Sequence, residues 1–348
     1  MAVKPDYILF DKNTTAIIFG NQQRTVQRML DFDYFCEREK SSVACVIDPA
    51  ETKKANMTVF WGRREISIPI YNNLAEAARR HPDSDVVINF ASHRSAYKVS
   101  VEALNLPQIK TLVIIAEGLP ERQTRELIAL KNRLGKWIIG PATVGGIVPG
   151  AFKIGNSGGA VSNLVMSKLH ASGSVGFVSK SGGMLNEMTH VISLNADGAY
   201  ESMAIGGDKY PGSTLLDHLL RYEANGDVKF MVVLGEVGGR EEYDIADALR
   251  SGRIKKPLVA WITGTCARMF PGEVQFGHAG AMARGAAETA EAKNQALKEA
   301  GALVPASYDE LGQTIKTLYE DLLAKGVIEE KEVKRAPEIP LEYNPETM

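Results

Sequence analysis

Cysteine is scarce in this chain, and the little there is has no pattern. Cys36, Cys45 and Cys266 are an odd number without C-x-x-C spacing, which supports neither a disulfide framework nor a zinc site and fits a reducing cytoplasm. No apolar run approaches the roughly 20 residues that a helix needs to cross a bilayer. Behind Met1 stand Lys4, Asp6 and Asp11 where an export signal would carry an apolar segment, so a protein neither exported nor embedded is expected. Basic excess is missing too. The chain has 40 Lys and Arg against 42 Asp and Glu, a net charge of -2, and no aromatic-basic patch, which sets nucleic acid aside as a partner. Two phosphate-binding signatures are also absent. The turn after the first expected strand, Phe19-Gly20-Asn21-Gln22-Gln23-Arg24-Thr25, lacks the G-x-G-x-x-G spacing of a dinucleotide site, and no G-x-x-x-x-G-K-[ST] loop for ATP occurs.

What is present is an ordinary globular composition, 45% hydrophobic and 24% charged, over 348 residues, a length at which a single core usually divides. Short β-branched runs alternate with helical stretches, the pattern of an α/β fold with parallel sheets. The spacing predicts strands at 15–20, 43–47, 86–90, 112–116 and 137–139, with helices at 24–35, 74–81, 95–104 and 121–134. Residues 140–150 are dense in Gly and Pro and read as an interdomain crossover. A second series follows, with strands at 174–178, 203–205, 230–235, 258–263 and 302–304 and helices at 184–193, 214–224 and 241–251. Ser307 and Glu310 have the spacing of a capping box, predicting a helix to about Lys325 that ends at Gly326. The expected division is therefore 1–145, 146–328 and a tail at 329–348, where Pro337, Pro340 and Pro345 follow a charged run that cannot build a core.

Ligands of doubly wound sheets bind beyond the carboxyl ends of the strands, and three such places carry chemistry. Ser179-Lys180-Ser181-Gly182-Gly183-Met184 leaves a strand and opens a helix, so its free amides and the helix dipole suit an anion, phosphate first. Standing alone, the segment is as readily a tight turn. Gly235-Glu236-Val237-Gly238-Gly239 puts a carboxylate at the same rim. A carboxylate that takes the proton of one imidazole nitrogen leaves the other as a nucleophile, although most such glutamates simply face solvent. Gln275-Phe276-Gly277-His278-Ala279-Gly280-Ala281 offers an accessible histidine among small neighbours, where position alone favours a structural role. His81, His93, His170, His190 and His218 have no metal-ligand spacing and are read as structural.

Together these runs resemble the α chain of succinyl-CoA synthetase, and more closely the corresponding module of ATP-citrate lyase and citryl-CoA synthetase, over residues 8–328. The resemblance is carried by Ala204-Ile205-Gly206-Gly207-Asp208-Lys209-Tyr210-Pro211-Gly212-Ser213, by the Glu236 segment and by Gly277-His278-Ala279-Gly280-Ala281. Citrate-type relatives are favoured by Leu30-Asp31-Phe32-Asp33-Tyr34, by Asn89-Phe90-Ala91-Ser92-His93-Arg94-Ser95-Ala96-Tyr97 and by Ala292-Lys293-Asn294-Gln295-Ala296-Leu297. Gly183 and Asn186 stand where the succinate type has threonine and tyrosine.

The resemblance implies a Rossmann-like CoA-binding domain followed by a flavodoxin-like ligase domain. It implies that His278 accepts phosphate, that Glu236 is its hydrogen-bond partner, and that Ser181, Gly182 and Gly183 cradle the phosphoryl group. Coenzyme A would lie against Gly20, Asn21, Gln22, Gln23, Arg24, Ser92, Arg94, Ser95, Ala116 and Gly118, and Glu117 corresponds to a glutamate important in citrate-acting relatives. ATP and Mg²⁺ would be held mainly by an ATP-grasp partner in a hetero-oligomer. The activity implied is that of an ADP-forming acid-thiol ligase making citryl-CoA from citrate and CoA through phosphohistidine and citryl phosphate. If Met348 is the natural end, the implied protein is a citryl-CoA synthetase subunit; if not, it is a piece of an ATP-citrate lyase. Succinate as substrate and a CoA-binding scaffold with an inert histidine stay open as alternatives.

Overall fold

The computed structural model describes residues 4–50, 56–269 and 274–330. The first sheet holds β1 (Ala16–Phe19), β2 (Val43–Ile47), β3 (Asn56–Trp61), β4 (Arg64–Tyr71), β5 (Val86–Asn89), β6 (Thr111–Ile114) and β7 (Trp137–Ile139), in the spatial order β3-β4-β2-β1-β5-β6-β7. All pairs are parallel except the β3/β4 hairpin at the edge. The second sheet holds β8 (Gly146–Val148), β9 (Phe152–Lys153), β10 (Val175–Ser179), β11 (Ala199–Ala204), β12 (Phe230–Glu236) and β13 (Leu258–Thr263), ordered β13-β12-β10-β11-β8-β9. Strands covered on both faces read as unbroken apolar runs. All seven residues of β12 are buried for that reason.

The helices that matter to the sites are α1 (Gln23–Phe35), α2 (Leu74–Arg80), α3 (His93–Asn105), α4 (Glu121–Leu134), α5 (Val161–Met166), α6 (Gly182–Asn195), α7 (Leu215–Ala224), α8 (Glu241–Arg250), α9 (Ala290–Glu299) and α10 (Leu311–Ala324). Their ends follow local chemistry. Asn73 caps α2 through the amide of Glu76, and Thr214 and Asp217 form a reciprocal capping box at the start of α7. One apolar core runs from Ile18 and Val113 of the first sheet to Val178 and Val233 of the second, so the two sheets are packed through a shared interior. No described helix is long and apolar enough to cross a membrane.

Several expectations need correction. The crossover at 140–150 contains a strand: residues 146–148 pair antiparallel with β11, and a Cβ on Gly146 would lie 2.8 Å from the Ser202 carbonyl. The β3/β4 hairpin was not foreseen, although Gly62 opens its two-residue turn with φ 58°. Its outer strand is closed by α1, where the Gln27 side chain makes two hydrogen bonds of 2.8 Å with the backbone of Phe60. Residues 302–304 reach the second sheet only through a bridge from Leu303 to Val259. Ser307 caps nothing with its side chain; Glu310 reaches back instead to the amide of Ala306, and a short 3-10 turn, Tyr308–Glu310, precedes α10. Beyond Glu330 the expected tail lies outside the described residues.

Candidate active site

Adjacent parallel strands bring their carboxyl ends to one rim, and in the second sheet that rim assembles the predicted chemistry. Glu236 is the last residue of β12 and is buried. His278 stands on a loop of short hydrogen bonds, in which its amide donates to Phe276 O at 2.7 Å and its carbonyl accepts from Ala281 N at 3.1 Å. The His278 Nδ1–H donates to Glu236 Oε2 at 2.6 Å, which turns Nε2 away from the carboxylate with its lone pair free. The ring is seated on Gly207, beyond the end of β11, where a Cβ would lie 2.3 Å from the imidazole Cγ. Only glycine leaves room for the ring in this position.

Charge around the ring is organised too. The hydrogen bond to Glu236 raises the His278 pKa above its ordinary 6.5; burial works against it, while the charges of Glu236 and Glu117 add to it and Lys180 opposes them. Lys180, at the end of β10, pairs with Glu241 at 3.1 Å. Burial disfavours its ammonium, but Glu242, Glu241 and Glu236 more than offset this and keep the lysine pKa above the usual value.

The third predicted element opens beside them. β10 pairs β12 with Ser179 opposite Leu234, so the chain two residues on, at Ser181, leaves the sheet level with Glu236. Ser181 caps α6, its Oγ accepting the amide of Met184 at 3.4 Å. The amides of Gly182 and Gly183 lie in the first turn, where they have no intrahelical acceptors and form the positive end of the helix. Gly182 packs against Val144, with 2.8 Å left for a Cβ, whereas nothing lies within 4 Å of a Cβ on Gly183. Asn186, one turn along, accepts the amide of Gly158 at 2.8 Å.

In the first sheet the topological switch falls between β1 and β5, and the residues expected to meet CoA follow β1, β5 and β6. Gly20 turns with φ 111° against Phe90. Ser92, Arg94 and Ser95 are exposed at the start of α3, and Gly118 turns with φ 81°. Two of the expected contacts have other tasks: Asn21 donates to Asp48 at 3.0 Å and Gln23 to Thr58 O at 3.2 Å. Glu117, exposed on the first sheet's rim, is near enough for its charge to reach His278. The loop after β11 joins the two rims: Gly206 (φ 100°) lies against Pro141 O, Gly212 donates to Gly140 O at 2.7 Å, and Lys209 pairs with Glu121 at 3.1 Å. His218 is a structural residue, fully buried between Ser213 and Arg221. Lys180, Gly207 and Lys293 fall within segments singled out in the sequence but were given no role of their own, and Glu242 was not singled out, since a charged residue in a polar helix carries no sign of burial. Among the described residues no group of His, Cys, Asp and Glu could hold a metal ion.

A protonated ring has no lone pair to give, so attack by Nε2 on a phosphoryl donor should rise with pH through the raised His278 midpoint. Phosphorylation of the chain by phosphoramidate, followed by intact mass, is expected to show a midpoint above 6.5. In Glu236→Gln the midpoint should fall and the plateau rate drop by about 10²- to 10⁴-fold. An unmoved midpoint would mean that Glu236 does not set the basicity of the ring.

Two family models match the chain, a CoA binding domain over residues 11–118 and a CoA-ligase domain over residues 178–303. It is 55% identical to human ATP-citrate synthase over 336 residues, covering 97% of this chain and 30% of the human one. It is also 50% identical, with a TM-score of 0.95, to the structure of ATP citrate lyase from Methanothrix soehngenii in complex with citrate and coenzyme A, covering 97% of this chain and 55% of that one. The same figures hold for a mutant ATP citrate lyase from Methanosaeta concilii in complex with (3S)-citryl-CoA. The chain thus spans about half the length of the archaeal enzymes it resembles and under a third of the human one.

Proposed function

From a chain that carries CoA-binding and CoA-ligase domains and is homologous to one portion of ATP-citrate synthase, we infer the phosphoryl-relay part of an ATP-dependent ligase that forms citryl-CoA from citrate and CoA. The observation that carries this reading is the 2.6 Å contact between His278 and Glu236, set at a rim that also faces Glu117 of the CoA-binding domain.

The Nε2 lone pair of His278 attacks the γ-phosphorus of ATP and ADP leaves, and Glu236 holds the Nδ1 proton and balances the positive charge on the ring. The amides of Gly182 and Gly183, with Ser181, receive the phosphoryl oxygens at the α6 start. A citrate carboxylate oxygen then takes the phosphoryl group, which restores the free ring and leaves citryl phosphate. The CoA thiolate attacks the acyl carbon and phosphate departs, giving citryl-CoA. Dividing one uphill condensation into two covalent handovers is what such a nucleophile provides. CoA is held by the rim after β1, β5 and β6, with Ser92, Arg94 and Ser95 toward its phosphates. ATP with Mg²⁺ binds an ATP-grasp module, in a partner subunit or elsewhere in a longer chain. Cleavage of citryl-CoA to acetyl-CoA and oxaloacetate, the lyase reading, would need a further module of the kind the longer relatives have room for.

Citrate is favoured over succinate by the open space over Gly183 and by Asn186, whose side chain is turned to Gly158. With the chain joined to an ATP-grasp module, CoA-dependent ADP release should be at least about tenfold faster with citrate than with succinate at equal concentration. Preference for succinate would overturn the choice of substrate while leaving the relay intact.

A further inference from the structure

We propose that Lys293 and Glu242 are positioning residues that hold the main chain of Glu236, and through it the orientation of His278. The proposal rests on the reading of His278 as the phosphoryl acceptor. Lys293, on α9, is fully buried; its Nζ donates to the Glu236 carbonyl at 2.8 Å and to the Gly238 carbonyl, and it pairs with Glu242 Oε2 at 2.6 Å. The other oxygen of Glu242, on α8, accepts the Glu236 amide at 3.3 Å. A single ion pair therefore takes both the N–H and the C=O of the residue that orients the imidazole.

The sheet explains why this pair is needed. Backbone groups of successive strand residues point to alternate neighbours. Leu234 O takes the Lys180 amide on the β10 side, and the Val237 amide goes to Thr263 O on β13. Glu236 therefore faces the side from which β10 has already turned into α6. A buried peptide group without a partner is costly, and here Glu242 and Lys293 take the place of the missing strand.

Nearby glycines make room for the device. A Cβ on Gly235 would lie 2.6 Å from Glu242 Oε1, and one on Gly238 would lie 2.1 Å from Gly280 O in the His278 loop. The segment that Lys293 grips is thus packed directly beneath the loop that carries the ring. A buried ion pair adds little net stability compared with apolar packing of the same volume, so its use here points to geometry. The charged groups around it are Lys180, Glu236 and Glu241. Against a contact of 2.6 Å, a displacement of about 0.6 Å along the bond already brings the Nδ1–Oε2 distance to the end of the hydrogen-bond range, about 3.2 Å.

The experiment uses the full chain with ¹⁵N-labelled histidine. Ring titration of His278 is followed by NMR, and its phosphorylation by phosphoramidate is followed by mass. Lys293→Met leaves Glu242 buried without its counter-ion; the double variant Lys293→Met/Glu242→Gln removes both charges together and keeps an acceptor for the Glu236 amide, which protects the fold. In both, the His278 midpoint should move down toward 6.5 and labelling should slow by at least about tenfold. Glu201→Gln, which breaks the buried pair with Arg221 toward the start of β11, should melt earlier yet label at the wild-type rate. A folded double variant with an unchanged midpoint and rate would overturn the proposal. If the wild type takes no label at His278, the acceptor reading fails instead, and the ring titration, which needs no phosphorylation, still decides whether Lys293 and Glu242 position Glu236.

Discussion

Incubated with an ATP-grasp module and γ-labelled ATP, the wild-type chain should take up label that survives base and is lost in acid, and His278→Ala should take up none. The Nδ1 of His278 is committed to the Glu236 carboxylate, which leaves Nε2 as the nitrogen that can attack. Ser181, the closest in the chain to the amide cradle, is occupied in capping α6. Overall turnover should fall by at least about 10³-fold, because removing a covalent nucleophile leaves only binding and positioning. The fold should survive, since His278 is 30% exposed on a loop and its truncation opens no sealed cavity. Near-wild-type melting combined with lost label is therefore the expected pair of results. Undiminished label in the alanine variant would remove His278 from the reaction and return it to a structural role.

Gly207→Ala should also be strongly damaging, though less than His278→Ala, and for a different reason. The backbone there does not adopt a left-handed conformation, so alanine is allowed locally, and the whole effect falls on the ring above it. Distances of 2.3 Å to Cγ, 2.5 Å to Cδ2 and 2.7 Å to Nδ1 stand against a normal carbon contact of about 3.5–4.0 Å. The imidazole must move by roughly 1 Å, and a displacement of that size costs on the order of 10²-fold in a positioned reaction. Gly280→Ala provides the contrast, because its Cβ would come no closer than 3.8 Å to Glu236 Oε1. It should lose far less than Gly207→Ala. Rates of phosphoramidate labelling for the two variants, read beside their melting temperatures, test this. Equal losses would mean that the Gly207 contact does not seat the ring.

Much of this site was legible before any coordinates. Alternation of β-branched runs with helical stretches placed β2, β7, β13 and α4 with their observed ends, because mostly buried apolar strands and an amphipathic helix, each bounded by turn residues, leave little ambiguity. His278, Glu236 and the Ser181 turn were each ambiguous alone; only their convergence on one rim separates them from ordinary surface residues. What escaped did so for physical reasons. The β3 strand alternates exposed Asn56, Thr58 and Phe60 with buried Met57 and Val59, a period-2 signal that lay unread beside the Gly62 turn. Ser307 has the letters of a cap, but Glu310 found the Ala306 amide first. The role of Lys293 went unread because a charged residue in a helix is expected on the solvated face, whereas here it is enclosed by carbonyls and a carboxylate.

The loop from Gly206 to Ser213 touches Pro141 and Gly140, reaches Glu121 through Lys209, and forms the seat of the His278 ring. It is thereby tied at once to the first half of the molecule and to the nucleophile in the second. The aim of the histidine therefore rests on contacts from both halves, and the Gly140–Ala142 turn bears on the ring through Gly207, whose amide donates to Ala142 O at 3.2 Å.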